Sequence, residues 1–197
     1  MRSFTPPDRL YGGYIFDCDG TLADTMTLHH RAWCEALRLA GAKFEFDWEL
    51  FMSRAGMSLE LTVAALASQF SVPLETELVA FTQRRIFSEL EHAVEPIRDV
   101  LLFAREVSSL RPISVASGSQ RATVDRTLAR IGASDLFPVI VTPEDVARGK
   151  PAPDMFLLAA ERMGVSPTDC LVFEDAELGL EAARRAGMDA VRVALPR

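Results

Sequence analysis

No stretch of this chain approaches the ~18 apolar residues that a membrane-spanning helix needs. The opening MRSFTPPDRL also lacks the apolar segment of a secretory signal. A cytoplasmic protein with no membrane partner is expected. Cysteine is scarce: Cys18, Cys34 and Cys170 form an odd set without the paired spacing of a metal site. Reduced thiols are therefore expected, in keeping with the same compartment. Cys18 stands between two acids whose charge opposes a thiolate, so it reads as a small buried strand residue rather than a nucleophile. Positive charge is in deficit. The 21 Lys+Arg against 28 Asp+Glu leave a formal net charge of -7, with a pI near 5.0. Such a surface repels a phosphate backbone and excludes nucleic acid as a partner. It does not exclude a small anionic ligand, which a metal and a few local cations can neutralise. Low-complexity linkers and internal repeats are missing as well.

What remains is an ordinary folded composition of 197 residues, 49% hydrophobic and 25% charged, enough for one core and a small inserted unit. Short apolar runs at Tyr14–Phe16, Ile113–Ala116, Val139–Val141, Cys170–Phe173 and Ala190–Val193 read as strands. Amphipathic patterns at Thr123–Ile131, Asp154–Met163 and Leu178–Ala186 separate the later runs, with Gly132, Gly164 and Gly187 as helix stops. Apolar runs joined by helices predict an α/β protein with a doubly wound parallel sheet, covered on both faces. Between the first two runs no strand is apparent. Leu28–Leu39, Leu59–Phe70 and Leu78–Leu90 show helical spacing, and Ile97–Leu110 leads back to the sheet. The expected organisation is a Rossmann-like core of residues 1–26 and 95–197 with an inserted helical cap of residues 27–94.

In open parallel sheets, ligands bind beyond the carboxyl ends of the strands. After the first strand stands Asp17-Cys18-Asp19-Gly20-Thr21. Alternation points Asp17 and Asp19 the same way, and two converging carboxylates repel unless a hard cation such as Mg2+ joins them. Gly20 lets the chain turn away. Ser117-Gly118-Ser119 follows the second strand; small hydroxyl loops before a helix offer donors to an anion, though Ser there is commonly only an N-cap. After the third strand, two prolines hold Lys150 in place as a cation among acids. Glu174 and Asp175 close the fourth strand, with a helix N-cap as the plain alternative for Asp175. All four tips belong to one sheet edge, which argues for a shared site.

These ordered elements resemble the haloacid-dehalogenase-like phosphatase superfamily, whose signatures are D-x-D-G-[TV], a Ser/Thr, a Lys and a final acidic pair. The match runs from Tyr14 to Val193. Asp24-Thr25, His29 and Trp33 look like the helical-cap subgroup typified by beta-phosphoglucomutase. Val94-Glu95-Pro96, Arg111-Pro112 and Lys150–Asp154 are most similar to bacterial fructose-1-phosphate/6-phosphogluconate phosphatases. The resemblance implies that Asp17 attacks phosphorus and becomes an aspartyl-phosphate, while Asp19 protonates the leaving oxygen and then activates water. It implies Mg2+ held by Asp17, the backbone carbonyl of Asp19, and Asp175, with Glu174 nearby. Ser117, Gly118 and Lys150 would bind the phosphoryl oxygens. In the cap, Thr25 and His29 are expected near the substrate, with His29 coupling cap closure to proton transfer. Arg84 is expected to reach a second anionic group, and His30 to point into solvent.

Two departures from the mutase favour hydrolysis. Thr21 stands where the mutase has Val. Leu59 follows Gly56-Met57-Ser58, where the mutase has an arginine that grips a distal phosphate. The resemblance thus implies a Mg2+-dependent phosphatase of a small phosphorylated sugar. A phosphohexomutase is the alternative, and a non-catalytic phosphate-binding domain a more distant one. A monomer is expected, with a dimer as the other option.

Overall fold

The computed structural model describes residues 4–5 and 9–195. Its central sheet is built from β1 (Gly13–Phe16), β4 (Ile113–Ala116), β5 (Val139–Val141), β6 (Cys170–Glu174) and β7 (Asp189–Arg192). They lie parallel in the order β5-β4-β1-β6-β7. Residues 13–16, 113–116 and 170–174 are buried throughout, as the unbroken apolar runs require of a sheet covered on both sides. Alternation divides them. Tyr14, Phe16, Val115 and Phe173 face α5 (Arg98–Ser108) and α6 (Arg121–Arg130). Ile15, Ala116, Val141 and Val172 face α7 (Asp154–Met163) and α8 (Glu177–Arg185). The edge strand β7 is mostly exposed, and it spans Asp189–Arg192 rather than the predicted Ala190–Val193.

The chain lays β4 and β5 on one side of β1, then crosses to lay β6 and β7 on the other. The carboxyl tip of β1 therefore sits at the switch point, where an open α/β sheet leaves a crevice.

Between β1 and β4 the expected helices form as α1 (Met26–Leu39), α3 (Leu59–Phe70) and α4 (Thr76–Leu90). They share an apolar cluster containing Trp33, Leu37, Phe51, Val63, Leu66 and Val79. Three features of this segment were not expected. Two short strands, β2 (Ala23–Asp24) and β3 (Glu95–Pro96), pair antiparallel, so the two passages between sheet and insertion run side by side. Two residues each are too few to show a period of two. A short helix α2 (Trp48–Met52) begins at Asp47, whose side chain accepts from Leu50 N at 2.8 Å. His30, expected in solvent, lies 2.9 Å from the Phe46 carbonyl oxygen and packs near Trp48 and Phe51. The aromatic residues come from beyond its own helix, so helical spacing alone could not show them.

At the return to the core, Arg126 Nε on α6 donates to both oxygens of buried Glu91, at 2.9 and 3.0 Å. This pair ties the end of the insertion to the helix that follows Ser117 and Gly118.

Candidate active site

One cavity lies between the strand tips and the insertion. Asp17, Asp19, Gly118, Ser119, Glu174 and Asp175 line its sheet side. His29, Trp33, Phe51, Arg54, Met57 and Leu59 are among those lining the other. The sheet edge thus gathers the candidates from three of its tips, and the fourth tip stands behind them through Lys150.

Lys150 is buried, and its Nζ donates to Asp17 Oδ1 and to Glu174 Oε2, each at 2.6 Å. Glu174 Oε1 accepts from the Ala176 backbone N–H at 3.2 Å. A Cβ on Gly179 would stand 2.1 Å from the Glu174 carboxyl carbon, so only glycine lets α8 pass so close. Gly20, at φ 80°, turns the chain away beside Asp175. Thr21 Oγ1 donates to Asp175 Oδ1 at 3.4 Å. The cap of α8 is Ala176, so Asp175 is not spent as an N-cap.

Burial is the largest influence on Asp17, followed by repulsion from Glu174, and together they push its carboxyl well above the usual range despite Lys150. Asp175 rises for the same reasons: burial first, then Glu174 and Asp17. Burial opposes the charge on Lys150 too, but Asp17 and Glu174 outweigh it and keep the ammonium charged. These directions agree once charge is counted: one cation serves three buried carboxylates.

That shortage is the test for a metal. Asp17, Glu174 and Asp175 each offer an oxygen within 4.8 Å of the others. Asp175 Oδ2 is buried and has no hydrogen-bond partner among the described residues. An all-oxygen anionic set suits a hard divalent cation, and the residues fit one.

Asp19 has different company. Thr25 Oγ1 donates to its Oδ1 at 2.8 Å, and His29 Nε2 lies 3.2 Å from the same oxygen. Ser119 Oγ donates to Oδ2 at 2.7 Å, with Ser117 Oγ at 3.5 Å. Burial works against its charge, but His29 and the hydrogen bonds from Ser119 and Thr25 outweigh it and bring Asp19 down to about 2. The side chain of Asp19 stands apart from the three-carboxylate group, which leaves only its backbone oxygen for the metal role implied by the resemblance. Cys18, between the two acids, is fully buried, and burial, reinforced by Asp19 and Asp17, holds its thiol well above the ordinary value.

The serine loop is no simple N-cap, because α6 is capped by Gln120. A Cβ on Gly118 would come within 2.8 Å of the Gly56 carbonyl oxygen, so the insertion presses directly on this loop. Arg84 is not brought to the cavity. Its Nη1 donates to Glu60 Oε1 at 2.8 Å, a pairing between α4 and α3 that the spacing of Arg84 in sequence could not show. Arg54 lines the cavity instead; its Nη2 donates to Gln69, and its Nε is buried without a hydrogen-bond partner among the described residues. Arg54 and Gly179 were not singled out in the sequence, whereas Ser119 was read there as part of the hydroxyl loop after the second strand.

Fold and site together define a doubly wound α/β core with a cluster of carboxylates and one lysine at its sheet edge, facing a helical insertion. A model of the haloacid dehalogenase-like hydrolases matches residues 11–187. The chain is 38% identical over 186 residues to the fructose-1-phosphate phosphatase YqaB of Escherichia coli (strain K12), covering 94% of this chain and 97% of that one. It is 32% identical over 188 residues to the beta-phosphoglucomutase of Bacillus subtilis (strain 168), covering 91% and 81%. A crystal structure of a hydrolase from Pseudomonas syringae superposes with a TM-score of 0.82 at 28% identity, covering 91% and 83%. This chain belongs to the haloacid dehalogenase-like hydrolase family.

Proposed function

We propose that this phosphoric monoester hydrolase is a Mg2+-dependent phosphatase of a small sugar phosphate, of the fructose 1-phosphate or 6-phosphogluconate type. The observation that carries the reading is the Asp17 carboxylate, held at the tip of β1 by Lys150 at 2.6 Å and facing the same cavity as Asp19. In this reading Asp17 attacks phosphorus, the bond to the sugar oxygen breaks, and an aspartyl-phosphate forms. Asp19 gives that oxygen its proton and later takes one from the water that hydrolyses the intermediate. Mg2+, when bound by Asp17, Glu174, Asp175 and the Asp19 carbonyl, supplies the positive charge that lets a carboxylate approach a polyanion. Lys150 steers Asp17 and, with Ser117 and the Gly118 backbone, receives phosphoryl oxygens.

The protein's own groups push the two acids the wrong way for these roles, Asp17 up and Asp19 down. Each ligand corrects one of them. A cation beside Asp17 favours its carboxylate, and a phosphate dianion beside Asp19 favours its acid form.

Residues 27–94 act as the cap over a core of 1–26 and 95–197. The cap shields the reaction from water, with Thr25, His29 and Arg54 toward the substrate. Arg84 has no part in it, because Glu60 holds it. Among the described residues no helix is long and apolar enough to cross a membrane.

The likeness to a beta-phosphoglucomutase supports a mutase as the second reading. Leu59 in the cavity wall speaks against it, because Leu cannot clamp a second phosphate. A panel of fructose 1-phosphate, 6-phosphogluconate and glucose 1-phosphate, with and without Mg2+, separates the two. Phosphate release lost on chelation is expected. Isomerisation of glucose 1-phosphate with little release would replace the phosphatase reading by the mutase.

A further inference from the structure

The insertion side of the cavity is mostly apolar. Met26, Trp33, Phe51, Ala55, Met57 and Leu59 line it, and Thr62 on the same wall spends its hydroxyl hydrogen on the Ser58 carbonyl oxygen at 3.0 Å. Such a wall offers few partners to the hydroxyls of a neutral sugar. Arg54 is the exception. Among the described residues it is the only lysine or arginine that lines the cavity. It sits on the turn between α2 and α3, across from the strand tips that carry Asp17, Glu174 and Asp175.

Arg54 also differs from the other arginines. Among those described, only Arg54 and Arg84 are half-buried, and the rest are exposed. Arg84 pairs with Glu60 at 2.8 Å. Arg54 pairs with no acid among the described residues; its Nη2 donates to the neutral amide oxygen of Gln69 on α3, and its Nε is buried without a partner. Gln69 thus holds the guanidinium in place without neutralising it. The chain carries 28 Asp+Glu, yet none stands beside this cation. A charge partly withdrawn from water is costly unless it is paired, so the arrangement suits a ligand that brings the missing anion.

The charge balance says which anion. A guanidinium neutralises one negative charge, and its parallel N–H groups match the two oxygens of a carboxylate. A second phosphate would bring about 1.5 to 2 negative charges near pH 7. The excess would lie in a cavity whose opposite side already holds Asp17, Asp19, Glu174 and Asp175.

We propose that Arg54 is a specificity-determining residue: it selects a phosphomonoester whose far end carries a carboxylate, so that the leaving group is a sugar acid and not a neutral sugar. This choice rests on the phosphatase reading and narrows its substrate class. The phosphoryl group lies at the strand tips, the carbon chain runs along the apolar wall, and the carboxylate meets Arg54.

The test compares 6-phosphogluconate with glucitol 6-phosphate, which share chain length and phosphate and differ only in a carboxylate against a hydroxymethyl group. With the full chain and Mg2+, kcat/KM should be at least about tenfold higher for 6-phosphogluconate, mainly through KM, the size of one hydrogen bond to a charged group. In Arg54→Met that advantage should vanish, while glucitol 6-phosphate stays within about twofold of its original kcat/KM. Arg54→Lys keeps the charge without the fork and should retain part of the preference. Equal losses on both substrates would make Arg54 a structural residue and overturn the proposal. A higher kcat/KM for fructose 1,6-bisphosphate than for 6-phosphogluconate would overturn it too, by putting a phosphate in the place of the carboxylate. An unaltered protein that does not favour 6-phosphogluconate refutes it without any variant, so a failure of Arg54→Met to fold leaves the test intact. If the unaltered protein releases phosphate from neither compound, the phosphatase reading falls. Titration calorimetry with the same two ligands then decides the role of Arg54: tighter binding of 6-phosphogluconate supports it, and equal binding overturns it.

Discussion

Asp17 and Asp19 are two residues apart, face one cavity, and are held in opposite ways. The sheet alone surrounds Asp17. Its neighbours Lys150 and Glu174 are buried residues at other strand tips, and too little positive charge is shared among them. Asp19 is gripped jointly by a serine loop of the sheet and by Thr25 and His29 where the chain passes from the sheet into the helical insertion. The first environment lacks a cation and fits a metal; the second has donors in surplus and fits a carboxylate that must be aimed. Paired acids pushed apart by their surroundings are a recurring way to divide chemical labour. Here the division follows the boundary between the sheet and the helical insertion.

The sharpest way to break this comparison is to neutralise each acid in turn. Asp17→Asn removes the nucleophile and should lower phosphate release by at least ~10³-fold, within the range seen when catalytic groups are deleted. Asp19→Asn should cost ~10²–10⁴-fold through lost acid–base help. Single-turnover assays should also show that Asp19→Asn still acquires label from a 32P-phosphomonoester, whereas Asp17→Asn does not. Labelled Asp17→Asn would refute the assignment.

Lys150→Met tests the charge shortage on the sheet side. It leaves three buried carboxylates without their cation, and breaking a buried pair costs about 3–5 kcal/mol. Urea denaturation in chelator should show that loss, and a near-neutral result would mean that Lys150 does not hold the cluster together.

The cap side is sharpened by a pair of arginines. Arg54→Met should raise KM roughly tenfold, the size of one charge-assisted contact. Arg84→Met should leave KM within about twofold, because Arg84 is spent on Glu60. The reverse ranking would reinstate Arg84 and remove Arg54.

The smallest effect lies away from the site. Asp145 is disfavoured as an anion by burial, yet its hydrogen bonds from Arg162 and Thr142 outweigh this and lower its pKa. A depressed carboxyl stabilises the fold above its unfolded pKa of ~3.9 and loses that contribution as the pH falls through its folded value. Asp145→Asn should therefore cost roughly 0.2–1 kcal/mol at pH 7, the range for exposed pairs, and progressively less as the pH falls through its lowered folded pKa. A cost that does not shrink as the carboxyl is protonated would show that charge is not its source.

Much of the sheet was legible because its strands are short unbroken apolar runs. Ile113–Ala116 and Val139–Val141 appear with the expected bounds, as does the helix Asp154–Met163. Asp17, Glu174 and Asp175 were legible for a related reason: a residue at the tip of a parallel strand is placed by the strand, and strands are written in local periodicity. Arg84 was misplaced because the face of an inserted helix depends on what packs against it. Arg54 hides on a turn, and its two neighbours in chemistry, Gln69 and the cavity, lie outside its local sequence.

Sequence by itself determined the α/β class, the helical insertion and the set of acids and lysine at the sheet edge, because each follows from short-range pattern and a fixed strand direction. Only the tertiary structure decided how those groups are paired. It set Lys150 between Asp17 and Glu174, seated His29 between Phe87 and Asp19, and gave the cavity Arg54 in place of Arg84. Those contacts join residues far apart in the chain, and hydrogen bonds and burial act through space.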